Sequence, residues 1–307
     1  MLRRTYRKLR EAVPAIEKLR AAVAPKPGAL PSPPPEAVHR VIFGGVALRI
    51  FGDPGDQYYA AAAAQMRGQG RVCSVLRACL PDGGAPVVLD VGANIGLATL
   101  AMATALPGSA RLLAVEPSPR NLVHLRRNLA ENGLAWVEVV PAAAGAEPGS
   151  LSFHEAAFGA GSHVVSAHHL AGGSMPSVSV PVDTLDRMVA SRGLERLDFI
   201  KIDVEGFEPD VLEGATGAIE RFRPVIYVEF NTWTLMAFRN ANPRAFLEDM
   251  VRRFPHVLAF GPKGEFEPVG DQPGMLGFLH RNLVERHCVD DLVLCHDTAW
   301  TRGMAPA

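Results

Sequence analysis

The feature that most narrows what this chain can fold into is a rhythm. Five short apolar runs, VVLDV (87–91), LLAVE (112–116), VEVV (137–140), DFIKIDV (198–204) and VIYVEF (225–230), alternate with stretches of helical spacing at 97–106, 119–132, 208–221 and 243–253. Strands that are apolar at nearly every position are buried on both faces, as in parallel sheets. Their alternation with helices predicts a doubly wound α/β sheet. A longer insert at 145–197, with Val-rich patches at 164–165 and 178–182, reads as a β-rich hairpin arm over the sheet's edge. HVLAF (256–260) and MLGFLH (275–280) read as a closing hairpin.

Upstream, Leu2, Tyr6, Leu9, Val13, Ile16, Leu19 and Val23 recur every three or four residues, opposite a face with Arg3, Arg4, Arg7, Lys8 and Arg10. This predicts an amphipathic basic helix over 1–24, docked on its own domain or a second copy, or lying on an anionic membrane surface. Six prolines in residues 25–35 predict a stiff linker. A β-rich entry at 39–51, turning at Gly44-Gly45, leads into helix from Asp56 to Leu80, interrupted at Gly68 and Gly70. The expected partition is helix 1–24, linker 25–35, entry segment 36–84, α/β domain 85–285 and C-terminal tail 286–307.

Composition sets outer limits. With 48% hydrophobic residues and a net charge of −1, a large core is available and a dedicated nucleic-acid binder is disfavoured. Neither a membrane-length apolar run nor an export signal is recognised, so Cys73, Cys79, Cys288 and Cys295 read as reduced thiols and the expected compartment is the cytoplasm.

Three motifs carry chemistry. In LDVGANIGL (89–97) a strand runs through Gly92 and Gly96 into a helix; the glycines read as places where backbone approaches a ligand. The spacing is not that of a pyrophosphate-binding dinucleotide loop, which disfavours an NAD-dependent enzyme. Asp90, at the strand end, is placed to meet a cationic amine, and Asn94 borders the same turn. Glu116, ending the next strand in LLAVEPSP, is placed to hold two ribose hydroxyls; the plainer alternative is a cap on the helix after Pro117 and Ser118. Together these two motifs resemble the S-adenosylmethionine site of a class I methyltransferase, with backbone at 142–144, Ala143 included, beside the adenine. In DFIKIDVEGFE (198–208), Lys201, Asp203 and Glu205 fall on one face of a strand, a costly placement unless paired or functional. Lys201 reads as a structural counter-ion.

LDVGANIG, VEPSP, VDTLD (182–186) and DFIKIDVEGFE, in this order, resemble FkbM-type methyltransferases over about residues 85–232. Phe207 stands where the family often has histidine. The resemblance implies a class I methyltransferase Rossmann-like fold and S-adenosylmethionine-dependent methyl transfer to a hydroxyl of a sugar, glycolipid or natural product. The residues expected to bind the cofactor are Asp90, Gly92, Asn94, Gly96, Glu116, Pro117 and Ala143. The expected base is Asp203, followed by Glu205 and by His163 in the insert, where His154, His168 and His169 also lie. Asp203, Glu229 and Asn231 form an all-oxygen set suited to Mg²⁺; the favoured alternative ties Glu229 to Lys201 or to a substrate hydroxyl, with no metal. The rival function is a catalytically silent scaffold of the same fold.

Overall fold

A computed structural model describes residues 38–80, 84–154, 163–164, 177–261 and 264–304. The helix expected at 1–24, the linker at 25–35, His168 and His169 lie outside these residues. Of His154 and His163 only the backbone is described.

The described strands are β1 (Val38–Phe43), β2 (Val46–Phe51), β3 (Val87–Val91), β4 (Arg111–Val115), β5 (Glu138–Val140), β6 (Ala143–Ala144), β7 (Gly149–His154), β8 (His163–Val164), β9 (Ser177–Asp183), β10 (Phe199–Ile202), β11 (Val225–Asn231), β12 (His256–Phe260), β13 (Phe266–Pro268) and β14 (Val289–Cys295). The main sheet runs β13-β12-β14-β11-β10-β3-β4-β5. β11, β10, β3, β4 and β5 are mutually parallel. β14 is antiparallel to both neighbours, β11 and β12. β12 runs with the five parallel strands, while β14 and the edge strand β13 are reversed, a doubly wound and mostly parallel sheet of the Rossmann-like kind expected from the sequence.

Alternation along the strands sorts side chains onto two faces. Leu89, Val91, Ile200, Ile202, Val228 and Phe230 enter one core, packed against the helices Leu185–Ser191, Pro243–Arg253 and Gln272–Val284. Val88, Phe199, Tyr227 and Val293 enter the other, covered by Gly70–Cys79, Leu97–Ala105 and Pro119–Glu131. The second face also carries a polar row, because Asp90, Lys201 and Tyr227 are in register across β3, β10 and β11.

The entry segment is fastened to this second face through two asparagines one helical turn apart. Asn128 accepts from Phe51 N–H at 2.7 Å and donates to Phe51 C=O at 2.9 Å. Asn132 does the same for Arg49, at 2.8 and 2.7 Å. Two side-chain amides thereby pair with the outer edge of β2 as a neighbouring strand would, and satisfy its backbone.

Two expectations at the C-terminal end are corrected. Residues 275–280 belong to the helix Gln272–Val284, so the hairpin partner of β12 is β13, with β14 on its other side. Short apolar runs do not separate helix from strand by themselves. Of the expected tail 286–307, the described residues 286–304 are built into the fold: β14 lies between β11 and β12, and Leu292, Val293 and Leu294 are fully buried. The insert does form β7 and β9, antiparallel over 149–154 and 177–182, in a separate small sheet ordered β6-β9-β7-β8.

Candidate functional site

A pocket opens at the carboxyl ends of β3, β4 and β10, where open α/β sheets bind ligands. Of the residues expected from sequence, Gly92, Asn94, Glu116, Pro117, Ala143, Asp203 and Glu205 line it, with Ala142 and Ala144 beside Ala143.

Glu116 is the best-held carboxylate. It ends β4, is 3% exposed, and its Oε2 accepts from Asn94 N–H at 2.8 Å. Oε1 accepts from Ser118 N–H at 2.8 Å and from Asn121 Nδ2 at 3.3 Å. Glu116 braces the turn before the helix Pro119–Glu131, and it also lines the pocket. Oε2 keeps an unused lone pair, while the second on Oε1 meets only the long Asn121 contact. Burial pushes its pKa up to about 7, against the backbone N–H groups of Ser118 and Asn94, which favour the charged form.

The glycine turn works differently from the expectation. Gly92 has φ +85°, and a Cβ there would stand 1.8 Å from the Asp203 carbonyl oxygen. Its smallness lets the loops after β3 and β10 touch each other, so the ligand benefits indirectly. Gly96 does not line the pocket; a Cβ on it would meet Leu125 Cδ1 at 2.7 Å, so it serves helix packing.

Asp90 is likewise displaced from its expected role. It is fully buried, outside the pocket wall, and its cationic partner is the protein's own Lys201, with Nζ 3.6 Å from Oδ1. Thr99 Oγ1 donates to its Oδ2 at 2.5 Å. Lys201 Nζ also donates to Asp203 Oδ2 at 3.0 Å. Burial opposes the Lys201 charge, but the Asp203 and Asp90 carboxylates outweigh it and hold the ammonium protonated. Lys201 is the counter-ion of a buried Asp90–Lys201–Asp203 chain.

The strand expected over 198–204 stops at Ile202. Asp203 and Glu205 therefore sit on a loop, and Glu205 is held at φ +54°, an unusual conformation for a non-glycine residue. The loop is folded over Glu208, whose Oε1 accepts from Val204 N–H at 3.0 Å and Gly206 N–H at 3.3 Å. Its Oε2 is buried without a hydrogen-bond partner among the described residues. Burial pushes Glu208 up to about 7. Burial first, then the charges of Asp203 and Glu208, push Glu205 up to about 9.

Of the candidate metal set, Asp203 alone lines the pocket. Glu229 and Asn231 are outside the pocket wall. Asn231 Oδ1 is spent capping the helix Thr232–Ala237, accepting from Trp233 and Thr234 N–H at 3.2 Å each. Among the described residues no three His, Cys, Asp or Glu side chains are grouped as metal ligands. Glu229 faces Asp291 across the β11–β14 register rather than Lys201. His163 lies on β8 by its backbone, which says nothing of its imidazole.

Five wall residues escaped the sequence reading of the pocket: Tyr58, Gln69, Ala98, Asn121 and Phe153. The first two come from the entry helices, 20 or more positions before any motif. Only the docking of β2 brings them here, and no spacing signal marks them.

Residues 90–259 match the family described as Methyltransferase FkbM domain. Methyltransferase sdnD of Sordaria araneosa is 31% identical over 194 residues, covering 53% of this chain and 72% of that protein. The 2-O-methyltransferase NoeI of Sinorhizobium fredii is 28% identical over 191 residues, covering 58% and 76%. The hexuronic acid methyltransferase AglP of Haloferax volcanii is 32% identical over 143 residues, covering 46% and 54%.

Proposed function

The chain belongs to the FkbM methyltransferase family, and from that premise we propose that it transfers a methyl group from S-adenosylmethionine to a hydroxyl oxygen of a sugar, glycolipid or natural-product acceptor. The observation that carries this reading is one pocket lined both by the braced carboxylate of Glu116 and by Asp203. When bound, S-adenosylmethionine supplies a methyl group activated by its positive sulfur, which an acceptor oxygen takes. Two relatives, one a 2-O-methyltransferase and one a hexuronic acid methyltransferase, favour a carbohydrate hydroxyl.

The chain's own residues divide the work. Glu116 accepts from ribose hydroxyls with the capacity left on its oxygens, and the alanines at 142–144 flank the adenine. Pro117 and Asn94 shape the floor between them. Asp203, fixed by Lys201 Nζ at 3.0 Å, takes the proton that the acceptor hydroxyl must lose. Glu205 is not a second base in this reading. Its raised pKa keeps it protonated at neutral pH, so it donates a hydrogen bond to the acceptor beside Asp203. The main contribution of the site is alignment of the acceptor oxygen with the methyl carbon.

Calorimetric titration with S-adenosylhomocysteine tests the reading. Micromolar-range binding that weakens by about tenfold or more in Glu116→Ala is expected, since charge-assisted hydrogen bonds are lost. Absence of binding in the wild type would overturn it and favour the scaffold alternative. A positive result leads to transfer assays on hexuronic-acid glycans.

A further inference from the structure

The amino-acid end of S-adenosylmethionine carries an ammonium and a carboxylate, and the pocket is prepared unequally for them. Among the described residues its wall holds three carboxylates, Glu116, Asp203 and Glu205, against one cation, Lys201, and it holds no arginine. Lys201 is already clasped by Asp203 at 3.0 Å and Asp90 at 3.6 Å. A ligand ammonium is therefore welcome beside the loop after β10. A ligand carboxylate finds no uncommitted cation among the described wall residues and must be received by neutral donors.

The wall offers four such side chains: Tyr58, Gln69, Asn94 and Asn121. Asn121 already donates to Glu116. Asn94 is tied to the same end, its N–H on Glu116 and its Oδ1 accepting from Ile95 N–H at 2.8 Å. The two that remain come from the entry segment. Tyr58 is presented by the helix Gln57–Ala60, whose start is fixed by Asp56 Oδ1 accepting from Tyr58 N–H at 2.7 Å. Burial and the Asp203 carboxylate push the Tyr58 phenol far above its ordinary pKa, so it stays a donor. Gln69 stands at the break between the helices Ala62–Gly68 and Gly70–Cys79; its side chain does not cap the second helix and reaches only Gln65 C=O, at 3.3 Å.

We infer that Tyr58 and Gln69 receive the carboxylate of the ligand's amino-acid end, so that a segment outside the matched residues 90–259 completes the site. The inference rests on the S-adenosylmethionine reading of the pocket. Two calorimetric probes separate them: S-adenosylhomocysteine, and 5′-methylthioadenosine, which keeps the adenosine and sulfur but lacks the amino-acid end. Tyr58→Phe removes one oxygen and Gln69→Glu is isosteric, so both preserve packing. Tyr58→Phe and Gln69→Ala are each expected to weaken S-adenosylhomocysteine about tenfold, and Gln69→Glu more than that, while 5′-methylthioadenosine stays within about twofold of wild type. Equal losses for both probes would overturn the inference by making these residues wall rather than receptors. Unchanged S-adenosylhomocysteine affinity in the variants would overturn it alone, leaving the function standing. A wild type that binds neither probe would overturn both.

Discussion

The two sides of the pocket are built by opposite rules. At the end of β4, Glu116 accepts from three N–H donors, two of them backbone, and braces the turn it stands on. On the loop after β10, one lysine serves Asp203, Glu205 makes no hydrogen bond among the described residues, and Glu208 keeps a bare buried oxygen. The first side is satisfied before any ligand arrives and suits holding. The second is under-compensated, its carboxylates crowd one another, and a residue is held in the left-handed region. Such arrangements cost stability and persist where reactivity needs them. Under the proposed function, grip falls to the first side and chemistry to the second.

The largest expected effect comes from the glycine where the two sides touch. Gly92→Ala sets a Cβ 1.8 Å from the Asp203 carbonyl, so both loops must move. A loss of about 4 kcal/mol in urea unfolding is expected, together with loss of ligand binding. Next, Asp203→Asn separates chemistry from grip. Turnover should fall by about a hundredfold or more, while S-adenosylhomocysteine affinity, losing one carboxylate near its ammonium, falls by no more than about tenfold. Equal losses in the two would erase the division.

Glu208→Gln probes the cost of the crowded side. A carboxyl whose pKa rises from 4.5 unfolded to about 7 folded binds more protons when folded, so its contribution to stability is lost as pH rises between those values. The glutamine variant escapes that loss. Its stability relative to wild type should improve by about 2 kcal/mol between pH 5 and pH 8, read by urea unfolding at each pH. The smallest effect belongs to the gripping side. Glu116, with its pKa pushed up to about 7, is mostly protonated at pH 6 and mostly charged at pH 8. S-adenosylhomocysteine should bind up to about tenfold more weakly at pH 6, and Glu116→Gln should flatten that dependence.

The motif residues were readable from sequence because each stands at a strand end, and strand ends are fixed by hydrophobic runs. Glu116 and Asp203 follow their strands by one residue, so the pocket's position followed from the strands alone. The charged triplet at 201–205 was read as one strand face because residue type does not reveal where a strand stops. The turn is made by Glu205 in the left-handed region and by Gly206, where a Cβ would meet Thr234 C=O at 2.7 Å.

By itself, then, the order of apolar runs determined the parallel sheet, its crossovers and the carboxylates above β4 and β10. These depend on local periodicity and on the single hand of βαβ connections. Contacts distant in sequence were decided by the tertiary structure alone. β14 enters the sheet beside β11, Lys201 claims Asp90, and Asn128 and Asn132 carry the entry hairpin, with Tyr58 and Gln69, to the pocket. Each joins groups from 58 to more than 100 positions apart, and such pairings are chosen by complementary surfaces in the folded chain rather than by any spacing along it.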